Sequence, residues 1–198
     1  MKSYANLDAR EIERFARNIG PGEWAVEVNR PIATLLGSCV SVCLIDSGLP
    51  VAGMNHFMLP NMLRQTNAED ALLAGDACMT ALLNALLARG AARHRLKAKA
   101  FGGGAVIDLG TNSGMGIGDR NAIFAREWLE RERIPLVSAD LQGSWARKLL
   151  LVPENGDAYC RRIASSLAGT QAVRREEEAY AASLLKEQQA VSKKVELF

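Results

Sequence analysis

Cys39 follows Gly37-Ser38 directly, and His56 lies 17 positions further on. A thiolate is a strong nucleophile, but an ordinary cysteine is mostly protonated at neutral pH. An imidazole beside it takes the proton, stabilises the thiolate and later returns the proton to a leaving group. Gly37 would let a substrate come close just ahead of the nucleophile. Backbone N–H groups around Ser38-Cys39, or from Gly102, Gly103 and Gly104, could hold a developing oxyanion. Thr34 or Ser38 could orient the imidazole or bind the substrate carbonyl.

Each of these residues also has a plainer use. Cysteine is often a small buried hydrophobe, a histidine in an apolar strand is often structural, and a glycine cluster can mark a bulge or a close packing point. Cys43 lies deeper in the apolar run and reads as core. Cys78 on a helix and Cys160 near the tail read as structural, and His94, among charges, as exposed. The four cysteines form no CxxC pair and there are only two histidines, so neither a zinc site nor any other metal or cofactor is expected.

The elements that must position Cys39 and His56 are extended. "PIATLLGSCVSVCLID" and "LPVAGMNHFML" flank a turn signal at Ser47-Gly48. A two-residue hairpin turn there would set Cys39 opposite His56, with Cβ atoms roughly 5 Å apart. Upstream, residues 7–19 read as an amphipathic helix with Asp8 as N-cap, Glu11 at the capping-box position, and Ile12, Phe15, Ala16 and Ile19 on one face. "EWAVEV" (23–28) alternates as a strand does. Residues 69–89 return to helical spacing, with Leu72, Met79, Leu83 and Leu86 on one face and Gly90 as the stop. A strand over 96–107 runs into the glycine cluster, a glycine-rich loop leads to a helix near 121–133, and 134–143 and 148–160 supply two more strands. The mixture predicts an α/β or α+β domain with helices covering a largely antiparallel sheet.

The chain has 198 residues, 48% hydrophobic and 23% charged, with a formal net charge of +2. This suits one well-filled core, and no basic block points to nucleic acid. The N-terminus lacks the apolar stretch of a signal peptide and no run approaches a membrane span, so a cytoplasmic protein with reduced thiols is expected. After about Gly169 the sequence becomes charged and helix-forming and ends in "VELF". It reads as a solvated helix or frayed tail, or, more sharply, as a tail whose last four residues dock as an apolar clip.

"TLLGSCVSVCLID…VAGMNHFMLP", "KAKAFGGGAVI", "IGDRN" and "ADLQGSWARKLLLVPENG" together resemble CheD, the chemoreceptor glutamine deamidase family of bacterial and archaeal chemotaxis. The resemblance covers roughly residues 20–165. It implies a layered α/β sandwich, a deamidase domain over 23–168 between an N-terminal helical extension (1–22) and a charged helical tail (169–198), and an amidase reaction on receptor glutamines. It implies Cys39 as nucleophile, His56 as general base and acid, and a threonine just upstream as third catalytic residue. Thr34 matches that position best, Ala33 being the other residue that could fall there. It further implies methyl-accepting chemotaxis receptors as substrates, receptor methyl-ester hydrolysis in some members, and a CheC-type phosphatase as a partner. Many members carry Asp-Leu-Gly-Gly where this chain has Asp140-Leu141-Gln142-Gly143.

Overall fold

The computed structural model describes Tyr4, residues 7–59, 68–105, 115–163, 171–183 and Lys186. The "VELF" terminus and the first half of the glycine-rich loop (108–114) lie outside them.

Among the described residues nine strands form two sheets. The first has the order β1-β3-β8-β9, from Arg17–Asn18, Ile32–Leu36, Ala146–Val152 and Asp157–Ile163. The second has the order β2-β5-β4-β6-β7, from Trp24–Glu27, Ala52–Asn55, Val40–Asp46, Leu96–Gly102 and Leu136–Leu141. Among these described strands, β1–β3 and β6–β7 run parallel and the other pairings are antiparallel. Helices α1 (Ala9–Glu13), α2 (Ala68–Ala88) and α3 (Ile117–Arg131) follow in chain order, and α4 spans 171–183. The result is a layered α+β architecture, as the sequence predicted.

Side-chain alternation along β4 explains the layers. Val40, Val42 and Leu44 face α2 and α3, where they join Met79, Leu82, Leu83, Leu86, Phe124 and Trp128. Cys39 and Cys43 face the other way, into a layer between the sheets shared with Ile32, Leu36, Met54, Met58, Leu149 and Leu151. Both sheets are therefore covered on the faces that meet, and the five-stranded sheet is covered again by helices. On the outer side of the four-stranded sheet, Ile12 and Ala16 pack on Ala33, Leu150 and Val152.

Four local expectations are corrected. The apolar run "PIATLLGSCVSVCLID" is two strands in different sheets, because the backbone leaves β3 at Gly37-Ser38 and enters β4 at Val40. The β4–β5 register pairs Cys43 with Met54, and the bridge Val40–Phe57 continues it, so Cys39 is not opposite His56 but two residues out of step. The cause is a turn longer than two residues. Pro50 lacks a ladder donor, while the Asp46 carboxylate accepts from Gly48 N and Leu49 N at 2.7 and 3.1 Å and pairs with Arg95. A slip of two preserves the face, so thiol and imidazole still meet. Helix α1 has the expected capping box, with Asp8 accepting from Arg10 N and Glu11 N, yet it ends at Glu13; residues 17–18 pair with β3 instead, and Phe15 is exposed. Finally, 148–160 holds parts of two strands, β8 and β9, separated by a turn at residues 153–156.

Candidate active site

Cys39 sits where the chain passes between the sheets. The glycine cluster braces that passage from behind: Gly103 N–H donates to Cys39 O and Gly104 N–H to Gly37 O, both at 2.7 Å. Gly102 adopts φ +112, and a Cβ there would fall 2.2 Å from Cys39 O, so only glycine permits this approach. The N–H groups of Gly103 and Gly104 are thus spent on the loop's own carbonyls rather than aimed at a reacting group.

His56 follows β5 and is fixed by its backbone, with His56 N donating to Glu23 O and Gly22 N to His56 O. Its ring lies on the face shared with Cys39. One imidazole nitrogen, the Cys39 sulfur and a carboxylate oxygen of Glu177 all lie within 4.8 Å of one another. Thr34, from β3 in the other sheet, closes on His56 Nδ1 at 2.8 Å while its hydroxyl donates to Ile19 O at 2.7 Å. A hydroxyl has one proton. With that proton on Ile19 O, Thr34 must accept from Nδ1–H, which leaves Nε2 with its lone pair. Nε2 is buried and has no hydrogen-bond partner. Ala33, the other residue considered for the threonine's position, points into the outer cluster instead.

Two site residues escaped the sequence reading. Asn121 on α3 is fully buried; its Nδ2 donates to Ser38 O and its Oδ1 accepts from Leu59 N, both at 2.8 Å. It therefore ties the cysteine loop to the segment that carries His56. The only signal was its place at the end of "IGDRN". Glu177, from the tail, is 1% exposed. Its Oε1 accepts from Gly37 N and Cys39 N at 2.9 and 3.0 Å, and its Oε2 from Ser38 N and Ser38 Oγ at 2.9 and 2.7 Å. The expected solvated tail is instead a docked helix, because Val173 and Glu177, one turn apart, are buried while its charged neighbours face outward.

The electrostatics follow from burial. Cys39 is driven well above the ordinary thiol range, first by burial and then by the Glu177 charge. His56 is lowered to about 4, chiefly because burial disfavours imidazolium. Thiol and neutral imidazole therefore face each other. Cys43, in the same layer, is raised to about 12 by burial, which suits a core residue. Thiol, imidazole and carboxylate form a donor set that zinc accepts, but both Glu177 oxygens already take hydrogen bonds. Two pockets open away from this cluster, one between α1 and β8–β9 and one beside the β4–β5 turn.

A family model described as "CheD chemotactic sensory transduction" matches residues 58–162. A protein of Dechloromonas aromatica, named probable chemoreceptor glutamine deamidase CheD 2, is 54% identical over 98% of this chain and 99% of its own length. The chain belongs to the CheD family. Other CheD relatives include a probable chemoreceptor glutamine deamidase CheD 2 of Burkholderia thailandensis, 43% identical over 78% of this chain and 79% of its own. A third, probable chemoreceptor glutamine deamidase CheD 1 of Shewanella oneidensis, is 43% identical over 78% of this chain and 75% of its own. Among the described residues no helix is long and apolar enough to cross a membrane.

Proposed function

We propose that this CheD-family chain deamidates glutamine side chains of methyl-accepting chemotaxis receptors in the cytoplasm, with Cys39 as nucleophile and His56 as general base and acid. The observation that carries the reading is the chain Cys39–His56–Thr34, with thiol and imidazole within 4.8 Å and Nδ1 held at 2.8 Å by a threonine. The relatives' names supply the substrate class.

The thiol proton passes to His56 Nε2 as sulfur attacks the carboxamide carbon. The carbonyl oxygen becomes an oxyanion, held by backbone N–H groups from Gly37 to Cys39, which already bind a carboxylate. Collapse of the tetrahedral intermediate breaks the C–N bond, and His56 gives its proton to the departing nitrogen, releasing ammonia. A γ-glutamyl thioester remains. Water, deprotonated by Nε2, attacks it, and the thiol leaves with the returned proton, leaving glutamate. A methyl ester enters the same sequence with methanol as leaving group, and a CheC-type phosphatase is the partner the family resemblance adds.

Mass spectrometry of a receptor cytoplasmic domain, incubated with wild type, Cys39→Ala and His56→Ala, tests this. Conversion of glutamine to glutamate with wild type alone is expected. Conversion that survives Cys39→Ala would remove the proposed nucleophile.

A further inference from the structure

Glu177 is an unusual occupant. A side-chain carboxylate belongs in water, yet this one lies fully covered beside a thiol, satisfied by four donors from Gly37, Ser38 and Cys39. Its γ-carboxylate is chemically the product group of a glutamine deamidation. A glutamine carbonyl about to be attacked by Cys39 needs the same N–H groups, so substrate and Glu177 cannot occupy the site together.

The contact extends along one face of α4. Val173, one turn before Glu177, lies so close over Gly37 that a Cβ there would come within 2.8 Å of its Cγ1. Tyr180, on the following turn, covers Gly22, where a Cβ would come within 2.6 Å of its hydroxyl. Gly22 in turn donates to His56 O. Tyr180 and Ala181 also pack against the layer between the sheets. Residues 173, 177, 180 and 181 form one helical stripe, and the two glycines leave a flat floor beneath it. Arg174 and Glu178 pair with each other on the exposed side.

We infer that α4 is an internal product mimic: it fills the helix-docking groove of the active site, places Glu177 in the subsite of the reacting side chain, and must be displaced by a helical segment presenting glutamine. The identification of that subsite rests on the deamidase reading. The groove accordingly accepts an α-helix with an apolar residue four positions before the glutamine and an aromatic or small residue three or four positions after it. A tethered competitor acts at high effective concentration, and a ligand that needs the vacant state binds more weakly by the fraction of molecules that are vacant. The negative charge beside Cys39 adds a second restraint, since it opposes thiolate formation while the helix is docked.

The test uses the full chain as wild type, Glu177→Ala, Val173→Asp and, as control, Glu178→Ala. Iodoacetamide labelling of Cys39 is followed by peptide mass spectrometry, with Cys43 as internal reference and circular dichroism as the check on folding. Labelling of Cys39 should rise at least about tenfold in both test variants and not in the control. In receptor deamidation, both test variants should lower KM several-fold with little change in kcat. Two folded test variants whose Cys39 labels at the wild-type rate would overturn the inference. Faster labelling without deamidation of any receptor would leave the displaceable helix standing and count against the deamidase reading instead. A single variant that fails to fold leaves the decision to the other.

Discussion

Thr34 Oγ1 lies 2.8 Å from His56 Nδ1 although Thr34 is in a strand of one sheet and His56 directly follows a strand of the other. Because the threonine's only proton is committed to Ile19 O, the contact selects a tautomer as well as an orientation. Thr34→Val keeps the shape and removes the hydroxyl. It should lower kcat for receptor deamidation by about a hundredfold, the scale of a misdirected general base, with KM nearly unchanged. Thr34→Ser should recover most of the loss. Equal activity of wild type and Thr34→Val would show that the tautomer is set elsewhere.

His56 should leave a signature in acid. Its folded-state pKa of about 4 lies below the ordinary value near 6.5. Between those values an unfolded chain binds a proton that the folded chain refuses, so stability falls as pH drops through this window. Thermal melts from pH 7 to 4 should show a decline in wild type that is shallower in His56→Gln. Parallel curves would mean that His56 does not enter the folded protein neutral.

Asn121 predicts a combined loss. Asn121→Ala leaves the Ser38 carbonyl and the Leu59 N–H buried without partners, which should cost about 2 kcal/mol or more. Turnover at a temperature where the variant is fully folded should fall as well, because the two segments bearing Cys39 and His56 lose their tie. A variant that melts earlier but turns over normally would reduce Asn121 to a structural role.

Gln142 predicts a gain. It adopts φ +65, a region that favours glycine, and its side chain recovers only an exposed bond to Asp119 at 2.7 Å. Gln142→Gly should raise stability by about 1 kcal/mol, or roughly 2–4 °C in Tm. A lower Tm would show that the Asp119 contact outweighs the backbone strain.

The closeness of Cys39 and His56 was legible in the sequence because it follows from local pattern: Gly-Ser-Cys ahead of a strand, and a histidine on the matching face of the next. The capping box of α1 and the stop of α2 at Gly90 were legible for the same reason, since each is a local interaction. The break between β3 and β4 was not, because Leu35 to Val42 is nearly continuous in apolar character and nothing in periodicity says that a sheet ends at Gly37. The β4–β5 register depended on Asp46 finding Arg95, a partner 49 residues away. Glu177 was hidden by its neighbours. Three consecutive glutamates look like a solvated face, and only the helical stripe of Val173, Glu177, Tyr180 and Ala181 distinguishes the middle one.

The layer between the sheets has a consequence for how the chemistry can fail. One sheet supplies Thr34 and the other carries His56, so their 2.8 Å contact gauges the alignment of the whole sandwich. A small slide of one sheet across the other would pull the hydroxyl from the ring. Slimming a residue of that layer such as Met54 should therefore blunt turnover out of proportion to the melting temperature it forfeits. The Thr34–His56 contact is, in effect, the vernier scale of the fold.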